Sequence, residues 1–193
     1  MHNFQTLLEP RIAFLVVSES LRSLVEGMCI PLLISYVVTV VRAEEELYSI
    51  GQVAGSVAQV FMSVVYICLA KKYKANWIVN LGAVLMMCSF FMLVLDLRPV
   101  YYLVSMIVLG AGMAIRQLVG ESVFISSYEE NVIARKISAF NSVVALFYLL
   151  GYILSYIAPF IMSLKIIMGI GAVLVVAPTC VVQLRERRIK ISS

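Results

Sequence analysis

Six long apolar runs, joined by short polar connections, make up almost the whole chain. We place them at about 11–41, 47–70, 75–97, 99–127, 133–162 and 164–184. Each reaches the roughly 20 residues that a helix needs to cross the hydrocarbon core of a bilayer. Because a segment in lipid must satisfy its backbone hydrogen bonds internally, runs of this kind fold as helices. The sequence therefore predicts an all-α membrane protein with six transmembrane helices.

The composition and the connections agree with this prediction. Hydrophobic residues are 62% of the 193 residues, against about 45–50% apolar in an ordinary soluble domain. Connections such as Arg42–Glu46 and Lys71–Lys74 leave no room for a separate soluble domain. We therefore expect one multi-pass domain, residues 1–193, in the cell membrane, with the lipid bilayer as its surroundings.

Basic residues indicate how the helices are oriented. With a cytoplasmic N-terminus, the inner segments hold most of them: Arg11, Lys71, Lys72, Lys74, Arg135, Lys136, Arg185, Arg187, Arg188 and Lys190. The outer loops hold only Arg42, Arg98 and Lys165. Lys and Arg accumulate in cytoplasmic loops, so we expect both termini inside. This pattern explains the net charge of +4 without a nucleic-acid partner.

Three charged residues lie inside the first apolar run. Glu19, Arg22 and Glu26 stand at i, i+3 and i+7, so they share one face of a helix. An uncompensated charge at the bilayer centre costs about 2.5–3.5 kcal/mol even on the most lenient scale. These residues need protein or water around them, and we expect them to mark the functional site.

The fourth run carries two more charges, Arg116 and Glu121. Arg116 and Arg22 each lie about 11 residues, or roughly 16 Å, from the inner end of their helices. We therefore predict that Arg116 pairs with Glu19 or Glu26. Glu121 lies nearer the inner surface, where it either reaches the interface or pairs with a basic loop residue.

Two further helices carry a polar face. In the second it consists of Gln52, Ser56, Gln59 and Ser63, beside the small pair Gly51 and Gly55. In the fifth it consists of Ser138, Asn141, Ala145, Tyr148, Tyr152 and Ser155. The third and sixth helices have only isolated polar residues. We expect helices 1, 2, 4 and 5 to line a site and helices 3 and 6 to face lipid.

Six such helices, with both termini inside, resemble one half of a major facilitator superfamily transporter. The basic loop between helices 2 and 3 of that superfamily corresponds here to Ala70–Ala75, in which Lys71 and Lys74 match. Ala70 replaces its aspartate and Tyr73 its second glycine. The resemblance implies a gating role for the loop residues Lys71, Lys72 and Lys74, although the aspartate tied to gating is missing.

Motifs in the fourth and fifth helices are partly kept. The superfamily pattern Arg-x-x-Gln-Gly is matched by Arg116 and Gly120, with Val119 in place of the glutamine. The fifth-helix antiporter pattern is reduced to Gly151 followed by Ser155. The resemblance also covers acidic residues in the first helix, which occur in proton-coupled exporters.

The resemblance implies that this unit works with a second one, because superfamily members normally contain two such halves. A six-helix unit alone would expose its charged face to lipid, at a cost of several kcal/mol. We expect a homodimer with its two-fold axis along the membrane normal. A sister half, or a longer chain of which this is a fragment, remains the alternative.

The function implied is secondary transport by alternating access, as proton-coupled export of a small amphipathic molecule. Glu19 and Glu26, with Arg22 between them, would exchange a proton or bind a cationic group. Arg116 would hold the charge of the acid or receive an anionic group. The expected walls of the substrate site are Gln52, Gln59, Asn141, Tyr148 and Tyr152.

A non-transporting scaffold or regulatory subunit is the second hypothesis. The charges of helices 1 and 4 would then form a fixed ion-pair network within or between subunits. An enzyme is not expected: the single histidine is His2, and the sequence has no metal-ligand cluster, phosphate loop or nucleophile motif. We therefore expect no cofactor and no metal.

Overall fold

The computed structural model describes the backbone of residues 10–95, 98–126, 128 and 130–192, and the side chains of these except 10–14, 76, 130–132 and 179–192. Regular structure in this part of the chain is helical throughout. The helices are α1 (Pro10–Cys29), its extension (Leu33–Val41), α2 (Glu45–Lys72), α3 (Ala75–Leu95), α4 (Pro99–Ser126), α5 (Glu130–Ile157) and α6 (Leu164–Ser192). A short 3-10 turn, Ala158–Phe160, follows α5.

Four helices, α2 to α5, are long and apolar enough to cross a membrane. The described part of α1 and its extension pass the same test together and make a fifth span if they belong to one crossing. In α6 the described apolar stretch, Leu164–Pro178, is shorter than a span. For the described residues, an all-helical fold with several helices long and apolar enough to cross a membrane is thus confirmed, whereas the number six stays a prediction.

The first helix is broken, whereas the sequence predicts one continuous helix over 11–41. α1 ends at Cys29, and its extension is bent from it by 48°. Pro31 lies in the break, where its missing N–H and its ring interrupt the helical ladder. The extension ends in a π-helical turn, and Arg42, with a φ of 58°, reverses the chain before α2.

The other predicted boundaries differ from the observed ones in a few places. The fifth helix begins at Glu130 and ends at Ile157, where the sequence predicts 133–162. The sixth continues to Ser192, beyond the predicted end at residue 184. The predicted ends at Leu97 and Ser127 lie outside the described residues.

Two helices, α1 and α4, organise the packing. α1 contacts α5 and α6, α4 contacts α2 and α3, and α3 packs on α6. Exchanging α1 with α4, α2 with α5 and α3 with α6 converts the first four of these contacts into one another and leaves the α3–α6 contact unchanged. The first three helices and the last three therefore have equivalent neighbours.

Glycines allow the closest of these contacts. A Cβ atom at Gly151 of α5 would lie 2.1 Å from the carbonyl oxygen of Leu24, and one at Gly27 of α1 would lie 2.2 Å from that of Tyr148. At the α2–α4 crossing, a Cβ atom at Gly110 would lie 2.1 Å from a backbone oxygen of α2. Only residues without a Cβ permit backbones to approach this closely.

The main core lies among α1, its extension, α3, α4 and α6. Its buried side chains include Val25, Phe90, Leu109 and Ile167. The expectation that α3 and α6 face lipid is therefore wrong for their inner faces, because the apolar side chains there pack on α1 and α4. The Tyr36 hydroxyl donates to the Leu93 carbonyl and ties the extension of α1 to α3.

Candidate functional site

Three charged residues of α1, Glu19, Arg22 and Glu26, form one ion-paired cluster with Arg116 of α4. Glu19 accepts a hydrogen bond from Arg22 Nε through Oε2, at 2.6 Å, and from Arg116 Nη2 through Oε1, at 3.1 Å. Arg22 Nη1 also donates to Oε1 of Glu26. Of the two partners predicted for Arg116, the structure confirms Glu19. The cluster contains two carboxylates and two guanidinium groups, so its formal charge is zero.

Arg116 is completely buried behind this cluster. Its Nη2 also donates to Ser18 Oγ, at 2.6 Å, and its Nη1 donates to the Val175 carbonyl of α6, at 3.2 Å. On α3, a Cβ atom at Gly82 would lie 2.6 Å from Arg116 Cγ, so the glycine makes room for the side chain. Arg116 thus contacts three helices besides its own.

A pocket of about 220 Å³ opens beside the cluster, between α1, α4 and α5. The side chains around it are mostly charged or polar: Glu19, Arg22, Glu26, Gln117, Glu121 and Asn141, with Met113, Gly120, Phe140 and Val144. Arg116 is the one member of the cluster that does not line it. A concave site with a few convergent polar groups is the usual form of a small-molecule site.

Glu121 lies exposed on the rim of this pocket. Its Oε1 accepts a hydrogen bond from Gln117 Nε2 at 3.2 Å, one helical turn earlier. Of the two alternatives given for Glu121, pairing with a basic loop residue is not found among the described residues, and reaching the interface stays a prediction. The i, i+4 spacing on one helix supplies a polar partner without any tertiary contact.

The polar face of α2 lines a second and smaller pocket. Its volume is about 50 Å³, and it lies between α2, α4 and the turn that follows α1 at Ile30. Gln59 Nε2 donates to Met113 Sδ at 3.8 Å, and the buried Gln52 Nε2 has no hydrogen-bond partner in the part of the chain that the structure describes. Met113 alone lines both pockets, so it separates the amide-lined pocket from the charged one. The Gly55 backbone packs against α4 here.

The polar face of α5 is divided. Asn141 lines the charged pocket, whereas Tyr148 and Tyr152 are exposed and line neither pocket. The backbones of the two tyrosines lie against Gly27 of α1. A binding role for the tyrosine rings stays a prediction, because the structure does not bring them to the charged cluster.

The loop lysines lie apart from both pockets. Lys71, Lys72 and Lys74 are exposed where α2 passes into α3. Tyr73 and Trp77 stack there with ring centroids 4.5 Å apart and fix this connection. The gating role implied for the lysines stays a prediction.

A larger groove of about 510 Å³ lies between α3 and α6. It is lined by apolar residues such as Val94, Ile170 and Val173, with Lys165 at one end. On the outer surface of a membrane protein, such a groove suits lipid chains. The charged pocket is therefore the better candidate for a polar ligand, despite its smaller volume.

Some site residues give no signal in the sequence. Gly82 and Phe140 are small or apolar residues in apolar helices, and only packing shows that one admits Arg116 and the other lines the pocket. Ser18 stands beside the first charged residue, which is the only sequence sign of its bond to Arg116. Met113 has no polar atom except its sulfur.

The chain matches no protein-family model, and a search of curated proteins finds no match. Among the described residues, no group of three or more His, Cys, Asp or Glu side chains is placed to hold a metal ion. The chemistry of the site therefore has to be inferred from the charged pocket itself.

Proposed function

We propose that this chain is a six-helix half of a secondary transporter in the cell membrane, which pairs with a second six-helix unit, most simply a second copy. The pair moves a small amphipathic molecule by alternating access, in exchange for protons. The observation that carries the proposal is the open pocket against Glu19, Arg22 and Glu26, on a helix that belongs in the bilayer.

The depth of the pocket supports this role. Arg22 is 12 residues from the start of α1 at Pro10, or roughly 18 Å along a helix. That distance is near the middle of a hydrocarbon core about 30 Å thick. Charges at this depth are retained for binding or transfer more often than for stability, because burying them is costly.

The arrangement of the helices also supports the proposal. α1 and α4 lie beside the pocket, α2 and α5 flank them, and α3 and α6 pack behind them. The equivalent neighbours of the first and last three helices fit the repeated three-helix units of the superfamily that the sequence resembles. The face that carries the pocket is the one that a second unit would cover.

Glu26 is the better placed of the two acids for proton exchange. Both carboxylate oxygens of Glu19 already accept hydrogen bonds from arginines. Glu26 accepts one such bond, through Oε1, and lines the pocket. A proton on its second oxygen would not break a bond within the described cluster.

The test uses proteoliposomes with an imposed pH gradient and an internal pH indicator, to which small amphipathic amines and carboxylates are added in turn. We expect solute-dependent proton movement that is lost in Glu26→Gln and retained in Glu45→Gln, an exposed acid at the start of α2. Unchanged proton movement in both Glu26→Gln and Glu19→Gln would remove the coupling role.

A fixed pairing network in a scaffold subunit is the second candidate, and one observation favours it. The four charges of the cluster balance one another within this chain, as a purely structural network would. The two functions differ in whether the pocket is wet. In a chain whose native cysteines are replaced by alanine, a thiol reagent added to opened membranes tests this. If it fails to label Asn141→Cys but labels Lys74→Cys, the pocket is dry and transport is ruled out.

A further inference from the structure

We propose that the pocket between α1, α4 and α5 is a binding site for a small organic cation, with the Glu26 carboxylate as its principal ligand. The inference deepens the proposed transport function by naming the class of substrate, and it rests on that function for its biological use. The sequence leaves both signs of charge open, since it offers carboxylates for a cation and Arg116 for an anion.

The position of Arg116 removes the anionic alternative. Its guanidinium group lies behind the cluster, with no exposed surface, and donates to Ser18, Glu19 and a backbone carbonyl of α6. No donor of Arg116 is directed into the pocket, because Arg116 is not among the residues that line it. An anion in the pocket would not reach it.

The charges that do line the pocket are mainly negative. Three carboxylates, those of Glu19, Glu26 and Glu121, stand against one guanidinium group, that of Arg22. Both donors by which Arg22 contacts the cluster are already directed at carboxylates. Because Arg116 balances Glu19 from behind, the cluster itself is neutral and Glu121 leaves the site with one net negative charge. Walls of low dielectric strengthen this field, which favours a cation over an anion.

Glu26 has the capacity to bind a ligand. It is only 7% exposed, and Arg22 donates to its Oε1. Its Oε2 has no partner within the described structure, in contrast to both oxygens of Glu19. An ammonium group, with or without N–H donors, would place its positive charge against this oxygen.

The remaining walls suit an organic cation rather than a metal ion. Phe140, Met113 and Val144 supply apolar surface, and the amides of Asn141 and Gln117 supply neutral polar contacts. Aromatic rings attract cations that carry alkyl groups. The volume of about 220 Å³ is below the roughly 300–1,000 Å³ of sites for drug-sized ligands, so the cation is small.

The test is direct binding to the purified full chain in detergent, measured by calorimetry with three probes of nearly the same shape. They are choline, its uncharged analogue with carbon in place of nitrogen, and the anion tert-butylacetate. We expect saturable binding of choline at least about tenfold tighter than that of the uncharged analogue, and no binding of the anion. Equal affinity for the three probes, or no binding of choline, overturns the proposal.

Substitutions test whether choline binds at Glu26. Glu26→Gln should abolish the preference for choline over its uncharged analogue, and Glu45→Gln should leave it unchanged. If Glu26→Gln does not fold, two substitutions of the exposed pocket residue Gln117 test the same site without altering a buried side chain. Gln117→Glu should tighten and Gln117→Lys should weaken choline binding, each by about two- to fivefold. Identical affinities in these two variants would contradict the proposal.

Choline binding tests the cation site, and solute-dependent proton movement tests the transport function, so the two proposals can fail separately. Choline binding without any solute-dependent proton movement would mean that the site exists and that the transport proposal fails. Proton movement driven only by carboxylates, with no choline binding, would leave transport standing and overturn the cation site.

Discussion

Arg116 shows how one residue can determine the position of several helices. Its guanidinium group contacts α1 through Ser18 and Glu19 and contacts α6 through the Val175 carbonyl. A buried ion pair gains little over well-packed apolar residues, but removing one partner leaves an uncompensated buried charge. The cluster is therefore sensitive to single substitutions even if its net contribution to folding is small.

We expect Arg116→Met to lower the free energy of unfolding by about 3–5 kcal/mol. The loss arises because Glu19 Oε1 loses its partner while it stays buried. Adding Glu19→Gln should recover part of this loss, since the orphaned charge is removed. Unfolding in detergent, followed by circular dichroism, measures both, and Lys71→Met is the control because Lys71 is exposed. Equal effects of Arg116→Met and Lys71→Met would refute the buried pairing.

At the scale of elements, the α1–α5 crossing depends on backbone contact rather than on side chains. Gly27 and Gly151 lie against the carbonyl groups of the facing helices, and Ser23 Oγ donates to the Val144 carbonyl nearby, at 3.0 Å. This crossing forms one wall of the charged pocket. Any residue that separates the helices should therefore disturb the position of Asn141.

We expect Gly151→Ala to destabilise the protein by about 1–3 kcal/mol, because the new methyl group would overlap the Leu24 carbonyl. Gly169→Ala in α6 is the matched control, since nothing lies within 4 Å of the position of its Cβ atom. That change should be neutral or stabilising by up to about 1 kcal/mol, as expected from helix propensity. Thermal unfolding of both variants in detergent compares them, and similar losses would show that the crossing is looser than described.

At the scale of the whole molecule, two surfaces are candidates for the pairing interface. One is the pocket face, which carries the charged pocket between α1, α4 and α5, and the other is the groove face, between α3 and α6. The proposed pairing covers the face that holds Glu121 and leaves the groove residue Val173, 62% exposed, toward lipid. A dimer that buries the charged face avoids the cost of placing these charges against hydrocarbon.

Cross-linking tests this pairing. In a chain whose native cysteines are replaced by alanine, Glu121→Cys should form a covalent dimer with a flexible bismaleimide in membranes, and Val173→Cys should not. The first lies on the pocket rim and the second in the α3–α6 groove. A dimer formed only by Val173→Cys would place the interface on the opposite side.

The orientation in the membrane gives a separate prediction. In the same cysteine-free chain, an impermeant thiol reagent should label Glu44→Cys from outside the cell and Lys74→Cys only after the membrane is opened. Both residues are exposed at opposite ends of α2. Labelling of both from the same side would mean that α2 does not cross the membrane.

The amino-acid sequence alone determined the helical class, the four helices α2 to α5 and the presence of charges that need partners within apolar helices. Long apolar runs can satisfy their backbone only as helices, so α2 to α5 follow from hydropathy. Charges in such runs require partners, so depth along the helix was enough to predict that Arg116 pairs with Glu19 or Glu26, and the structure selects Glu19. These properties depend on local composition and helix geometry, which the sequence states directly.

Only the tertiary structure decided which surfaces meet. The bend after Cys29, the inner faces of α3 and α6 and the separation of Tyr148 from the charged pocket depend on contacts between distant segments. The orientation of Arg116 away from the pocket, which decides the sign of the proposed ligand, depends on space left by Gly82 on another helix. Helical periodicity determines which residues share one face of a helix, but close packing between helices determines what that face contacts.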